Sequence, residues 1–215
     1  MPEPIEAVLF DFGGVFTDSP FDAAERLGRE LGLPARELLE LLFGPYERDT
    51  DHPWHRLERG EIGVGAAGRE IAALASARGV ELELARAFRA MGSGAVKQVV
   101  IDHTRALRRR GYRTALVTNN LAEFREGWRQ MLPVAELFEL VIDSSEVGVR
   151  KPDPAIFRLA LEGLGGLAPE RAVLLDDFPG NVSAARRLGL HAVLVAADPR
   201  PALCELDALL AAHPA

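Results

Sequence analysis

The feature that most limits what this chain can fold into is a set of short apolar runs that each break off at a polar side chain. Ala7-Val8-Leu9-Phe10 stops at Asp11, with Gly13 and Gly14 just beyond. Ala115-Leu116-Val117 stops at Thr118, and Val173-Leu174-Leu175 stops at the pair Asp176-Asp177. Leu140-Val141-Ile142 leads through a short loop to Lys151. Short runs that are apolar throughout and bounded by turn residues read as strands buried on both faces. Such strands hold their ends rigidly, and glycines beyond them let backbone approach a ligand closely.

Helical patterns separate the later runs. The spacing predicts helices over 96–110, 122–131, 154–164, 181–188 and 201–211, alternating with strands over 114–118, 140–142, 172–175 and 191–195. Gly111 and Gly189 are stops, and Pro154 is a start. This alternation implies an α/β fold, a Rossmann-like parallel sheet with helices on both faces. In such a sheet the carboxyl ends of the strands share one edge, where ligands bind. Asp11, Thr118, Lys151 and Asp176-Asp177 are therefore expected to converge there. A hydroxyl, an ammonium and further carboxylates around a first carboxylate make a site suited to phosphoryl chemistry.

Between the first strand and the rest, residues 21–90 are helical in pattern, broken at Gly44-Pro45, Asp49 to Pro53 and Arg78-Gly79. Four or five helices are expected, and Met91-Gly92-Ser93-Gly94 reads as a flexible joint. The expected organisation is a core domain of 1–18 and 93–215, with a helical cap of 19–92 inserted at its ligand-binding edge.

Composition narrows the partners. A net charge of -7 argues against a nucleic-acid binder working through phosphate contacts. No run approaches the roughly 18 apolar residues of a membrane span, so no membrane partner is expected. Glu3 and Glu6 replace the basic start of a secretory leader, and the single Cys204 excludes an internal disulfide, so a cytoplasmic location is expected. Cys204 itself reads as a small packed hydrophobe. Nothing in the pattern speaks to oligomeric state.

The motifs Asp11-Phe12-Gly13-Gly14, Thr118-Asn119-Asn120, Arg150-Lys151-Pro152-Asp153-Pro154 and Leu175-Asp176-Asp177, in this order, resemble those of haloacid dehalogenase superfamily hydrolases. The stretch from Trp54 to Ile62 is similar to a cap segment of the phosphatases related to the N-terminal domain of soluble epoxide hydrolase. The resemblance implies a small phosphorylated substrate and an Asp11 nucleophile that forms an aspartyl-phosphate. It implies Mg2+ held by Asp11, the carbonyl of Gly13 and Asp177, with Asp176 and Asn181 supporting from behind. It also implies phosphate binding by Thr118, the Asn119 N–H and Lys151, the lysine neutralising charge as well. Taken alone, Thr118 also reads as a helix cap, though its context favours phosphate binding, and Asn181 reads equally as a cap or a site residue.

One position departs from the pattern. Most phosphatases of the superfamily carry a second Asp two residues after the nucleophile, where this chain has Gly13. Glycine transfers no proton, and general acid–base help is worth roughly 10²–10⁴-fold. Three readings stay open. The first is a phosphatase with a substitute acid/base (Asp18, His55 or Glu61) or with good leaving groups. The second is a weak or inactive relative that binds a phosphorylated ligand or partner. The third is a metal-independent dehalogenase, against which the Asp176-Asp177 pair argues. In the cap, Arg48, His55, Arg56 and Glu61 read first as a solvated helix face, and Trp54 and Trp128 as packing residues.

Overall fold

The computed structural model describes residues 3–92 and 95–214. Its centre is a five-stranded parallel sheet. The strands are β1 (Ala7–Phe10), β2 (Arg113–Thr118), β3 (Leu140–Asp143), β4 (Ala172–Asp176) and β5 (His191–Leu194), in the order β3-β2-β1-β4-β5. Every residue of β1 is buried, as its apolar run requires. Alternate side chains serve opposite faces. Val8 and Phe10 join one core with Leu116, Val173 and Leu175, while Ala7 and Leu9 join a second with Val117 and Leu174.

Register sets the site. Phe10 lies level with Leu116 of β2 and with Leu175 of β4, so all three strands run out at nearly the same height. The Asp11 N–H still donates to the Leu175 carbonyl at 2.9 Å, extending the ladder to the acid itself. The chain proceeds from β1 outward to β2 and β3, then returns to the other side of β1 as β4. The gap between β1 and β4 is thus a topological switch point, where open sheets of this type bind ligands.

Residues 19–92, between β1 and β2, form five helices among the described residues: Pro20–Glu30, Ala35–Phe43, Pro53–Glu58, Val64–Ser76 and Leu84–Met91; a sixth, Gln98–Arg109, leads into β2. The five share a third apolar core built from Leu27, Leu38, Trp54, Ile71 and Ala87, which Leu121 also enters. Lys97, on the returning connection, donates its N–H to Phe16 at 2.8 Å and its ammonium to the Gly14 carbonyl at 2.7 Å. Ser93 and Gly94 of the expected joint lie outside the described residues.

Several sequence expectations need correction. The helix expected over 122–131 begins as a 3₁₀ turn, Ala122–Phe124, before Arg125–Met131. The one-turn helices Val134–Leu137 and Ser144–Val147 went unpredicted, because four residues are too few to show a helical period. Cys204 is exposed, not packed. Leu203, Leu206 and Leu210 occupy the inward face of helix Arg200–Ala212, and 204 falls outside that stripe. His55 is fully buried rather than on a solvated face. Its short helix also buries Pro53, Trp54, Leu57 and Glu58, leaving little of it to face solvent.

The burial of His55 has a pH consequence. Its Nδ1 accepts the Thr50 N–H at 3.1 Å, so the ring is neutral. Burial, reinforced by the nearby Arg150 charge, lowers its pKa from 6.5 to about 3. Below about pH 6.5 the unfolded chain therefore takes up a proton that the folded chain refuses. The resulting stability is complete above that pH and is lost as pH falls toward 3, by about 1.4 kcal/mol per pH unit. In thermal melts between about pH 6.5 and about pH 5, Tm should fall less steeply for His55→Gln than for wild type. Equal slopes would contradict this assignment.

Candidate active site

Strand ends and the loops beyond them bring the polar groups together. The Lys151 ammonium lies 2.8 Å from Asp11 Oδ1 and 2.7 Å from Asp176 Oδ2, and all three residues are buried. Asp11, Asp176 and Asp177 offer carboxylate oxygens that lie within 4.8 Å of one another. Burial pushes the Asp11 pKa up to about 6, against the pull of Lys151 and with the repulsion of Asp176. Burial also raises Asp177 well above the usual carboxylate range, and the charges of Asp176 and Asp11 add to it. For Lys151, burial opposes the charge, but Asp11 and Asp176 outweigh it and raise its pKa. The cluster thus holds one ammonium against three acids and favours a further cation.

The three acids are not equivalent. Asp176 is saturated by the chain: Phe178 N donates to Oδ1 at 2.9 Å, Lys151 reaches Oδ2, and the Asn181 amide spans both oxygens at 3.0 and 3.2 Å. Asp11 Oδ1 takes Lys151 and the Phe12 N–H at 2.7 Å, and Asp177 Oδ2 takes the Ser19 hydroxyl at 2.5 Å. Among the described residues, no hydrogen bond reaches Asp11 Oδ2 or Asp177 Oδ1. Both residues border a cavity of about 450 Å³, so their free oxygens are available to a hard, oxygen-seeking ion such as Mg2+. Asp176 instead orients Lys151. Gly14 is essential to this packing, since its φ of +73° favours glycine and a Cβ there would collide with the Asp177 carboxylate.

Thr118 and Asn119 border the same cavity, as do Gly13, Lys151 and Asn181. Asn181 is not a cap: it sits inside helix Pro179–Leu188, whose N-cap is Phe178. Thr118 ends β2 and caps no helix either. The Asn119 side chain does something unforeseen. Its Oδ1 accepts the Lys151 N–H at 2.8 Å and its Nδ2 donates to the Lys151 carbonyl at 3.0 Å, clamping the lysine loop to the β2 loop. Of the three substitute acid/base candidates, Asp18 borders the cavity, whereas His55 and Glu61 do not. Glu61 is occupied by the Arg59 guanidinium at 2.6 Å.

Above this polar floor the walls are mostly apolar, with Phe21, Phe43, Phe88, Phe124, Trp128 and Met131, while Tyr46, Glu58 and Glu123 also border the cavity. Trp54 and Trp128 are therefore both packing residues and lining residues. Among the described lining residues Lys151 is the one cation, and it is already paired with two acids.

Residues 5–189 match the model of the haloacid dehalogenase-like hydrolase family. The chain belongs to that family. It is 32% identical over 210 residues to mouse (Mus musculus) acyl-CoA dehydrogenase family member 10, covering 95% of this chain and 19% of that protein. It is 28% identical over 206 residues to mouse bifunctional epoxide hydrolase 2, covering 89% of this chain and 36% of that protein. The chain therefore spans well under half the length of either. Phosphoglycolate phosphatase of Colwellia psychrerythraea is 26% identical over 198 residues, covering 87% of this chain and 83% of that one. A Bacteroides thetaiotaomicron enzyme of the family, solved with magnesium and inorganic phosphate, shares the fold. The TM-score is 0.61 at 21% identity, over 90% of this chain and 96% of that one.

The two glycines of this hydrolase's first loop should respond differently to substitution. A Cβ on Gly13 would meet Pro20 Cδ at an ordinary 3.5 Å. Gly13→Ala is expected to change stability by less than about 0.5 kcal/mol, and Gly14→Ala to cost more than about 2 kcal/mol. Urea melts of the two variants test this, and equal losses would contradict it.

Proposed function

We propose that the chain is a Mg2+-dependent phosphomonoester hydrolase in which Asp11 is phosphorylated and then freed by water. The observation that carries this reading is the Asp11–Lys151–Asp176 arrangement, with free oxygens on Asp11 and Asp177, at the floor of a cavity of about 450 Å³. Asp11, the Gly13 carbonyl and Asp177 would hold the ion. Once bound, it offsets the charge of phosphate and carboxylate as they meet.

The Asp11 carboxylate oxygen that does not hold the ion attacks phosphorus, the bond to the leaving oxygen breaks, and that oxygen departs with the bonding pair. Lys151 keeps Asp11 ionised and aligned and neutralises the phosphoryl group, and Thr118 and the Asn119 N–H bind its oxygens. Water then attacks phosphorus, inorganic phosphate leaves, and the Asp11 carboxylate is restored. Gly13 gives no proton to either step. Asp18, on the cavity border, is the side chain we assign to that task. Residues 19–92 act as the cap that excludes bulk water and selects substrate.

The cavity speaks to the substrate as well. Beyond the floor it presents mostly aromatic and aliphatic walls together with the acids Glu58 and Glu123, and no free cation among the described lining residues. A monophosphate whose remainder is uncharged suits it better than one with a second acid group, which would be buried without a partner.

The test is a panel of phosphate monoesters with and without Mg2+, with Asp11→Asn as the blank. Metal-dependent turnover of p-nitrophenyl phosphate that Asp11→Asn abolishes is expected, and its absence across the panel would favour a phosphate-binding protein without turnover. Halide release from a 2-haloacid without metal would favour a dehalogenase. Wild type should show a burst of nitrophenol followed by slower turnover. Gly13→Asp should shorten the slow phase and speed alkyl phosphates by at least about tenfold. Linear product formation from the first turnover would contradict the role given to Gly13.

A further inference from the structure

A buried ring of polar contacts joins the inserted helices to the lysine loop. Glu58, almost fully buried, accepts from Arg150 Nε at 2.6 Å, from the Tyr46 hydroxyl at 2.6 Å and from Trp54 Nε1 at 2.8 Å. The Tyr46 hydroxyl in turn accepts from Asn119 Nδ2 at 3.1 Å. Asn119 grips the backbone of Lys151 on both sides, and Lys151 is bonded in sequence to Arg150. The circuit Glu58, Tyr46, Asn119, Lys151, Arg150 therefore closes on itself. The Arg150 guanidinium also lies 4.3 Å from the centre of the Tyr46 ring.

Tyr46, Trp54 and Glu58 come from the inserted segment, whereas Asn119, Arg150 and Lys151 come from the loops of the sheet. Arg150 is fully buried, and Glu58 is the acid that reaches it most closely, with Asp49 at 3.6 Å. A buried guanidinium without an anion is costly. Arg150 is thus comfortable only with the helices docked, and the next residue in the chain is the lysine that touches Asp11. Tyr46 and Glu58 also border the cavity, so a group settling there meets the ring directly.

We propose that Tyr46 and Glu58 are positioning residues: they hold the Asn119–Lys151 clamp so that the Lys151 ammonium stays on Asp11, making the phosphoryl site complete only with the cap docked. This rests on the phosphatase reading for its kinetic arm and on the geometry alone for its second arm. By linkage, whatever binds at Lys151 also tightens the cap, and to the same degree.

Tyr46→Phe is the informative variant, because it keeps the ring beneath Arg150 and removes only the hydroxyl. Two readouts are needed, steady-state kinetics with p-nitrophenyl phosphate and Mg2+, and hydrogen exchange at the Lys151 amide. The expected result is a kcat about tenfold lower with KM within about twofold, and Lys151 exchange about tenfold faster. Glu58→Gln should do the same more strongly if it folds, and the double variant should lose less than the product of the two. Unchanged Lys151 exchange in Tyr46→Phe would overturn the proposal, whatever happens to kcat. Faster exchange with unchanged kcat would overturn it too. If wild type turns over no phosphoester, the phosphatase reading fails separately. Exchange with Mg2+ and inorganic phosphate then decides: slowing at Lys151 in wild type but not in Tyr46→Phe supports the ring, and equal behaviour overturns it.

Discussion

The whole site depends on one ammonium shared between two buried carboxylates. Lys151 lies within 2.8 Å of both Asp11 and Asp176, and none of the three is stable there alone. A buried carboxylate without a partner takes up a proton, and a buried lysine sheds one. Their juxtaposition sets unlike charges against each other, yet burial and the charge of Asp176 still raise the pKa of both Asp11 and Asp177, with Asp11 adding to the rise at Asp177. The residual imbalance is what suits the cluster to a further cation, and an anionic substrate group can follow that cation in.

Everything around the cluster serves to keep these charges in place. The parallel sheet brings β1 and β4 to a common height, so that Asp11 and Asp176 face each other across the switch point. Asn181 and the Phe178 N–H fix Asp176, which frees it to orient the lysine. Gly14 leaves space for Asp177, and the Lys97 ammonium holds the Gly14 carbonyl. The inserted helices add a third apolar core, and through Glu58 they supply the counter-charge that Arg150 requires.

Much of this was legible in the sequence, and the reasons are physical. Strands buried on both faces leave unbroken apolar runs, so β1 to β5 and the acids at their ends could be read directly. The alternation of strands and helices implied a parallel sheet, and with it one edge for Asp11, Thr118, Lys151 and Asp176-Asp177. What escaped were contacts between distant segments. Glu58 and Arg150 are separated by 92 positions, and nothing local marks them as a pair. The Asn119 side chain and the Ser19 hydroxyl were likewise invisible, because their partners are fixed by loop shape rather than by periodicity. His55 was misjudged because a short polar helix looks solvated until its neighbours are known. One signal was available: Arg150 precedes the lysine of a buried motif, and a buried arginine demands an acid somewhere.

The central claim is that Asp11 itself accepts the phosphoryl group. The direct measurement is mass spectrometry of protein quenched in acid during turnover of an aryl phosphate with Mg2+. A phosphoryl adduct on the peptide containing Asp11, present in wild type and missing in Asp11→Asn, is the predicted result. Sustained turnover with no adduct on that peptide, or turnover that survives in Asp11→Asn, would contradict the account.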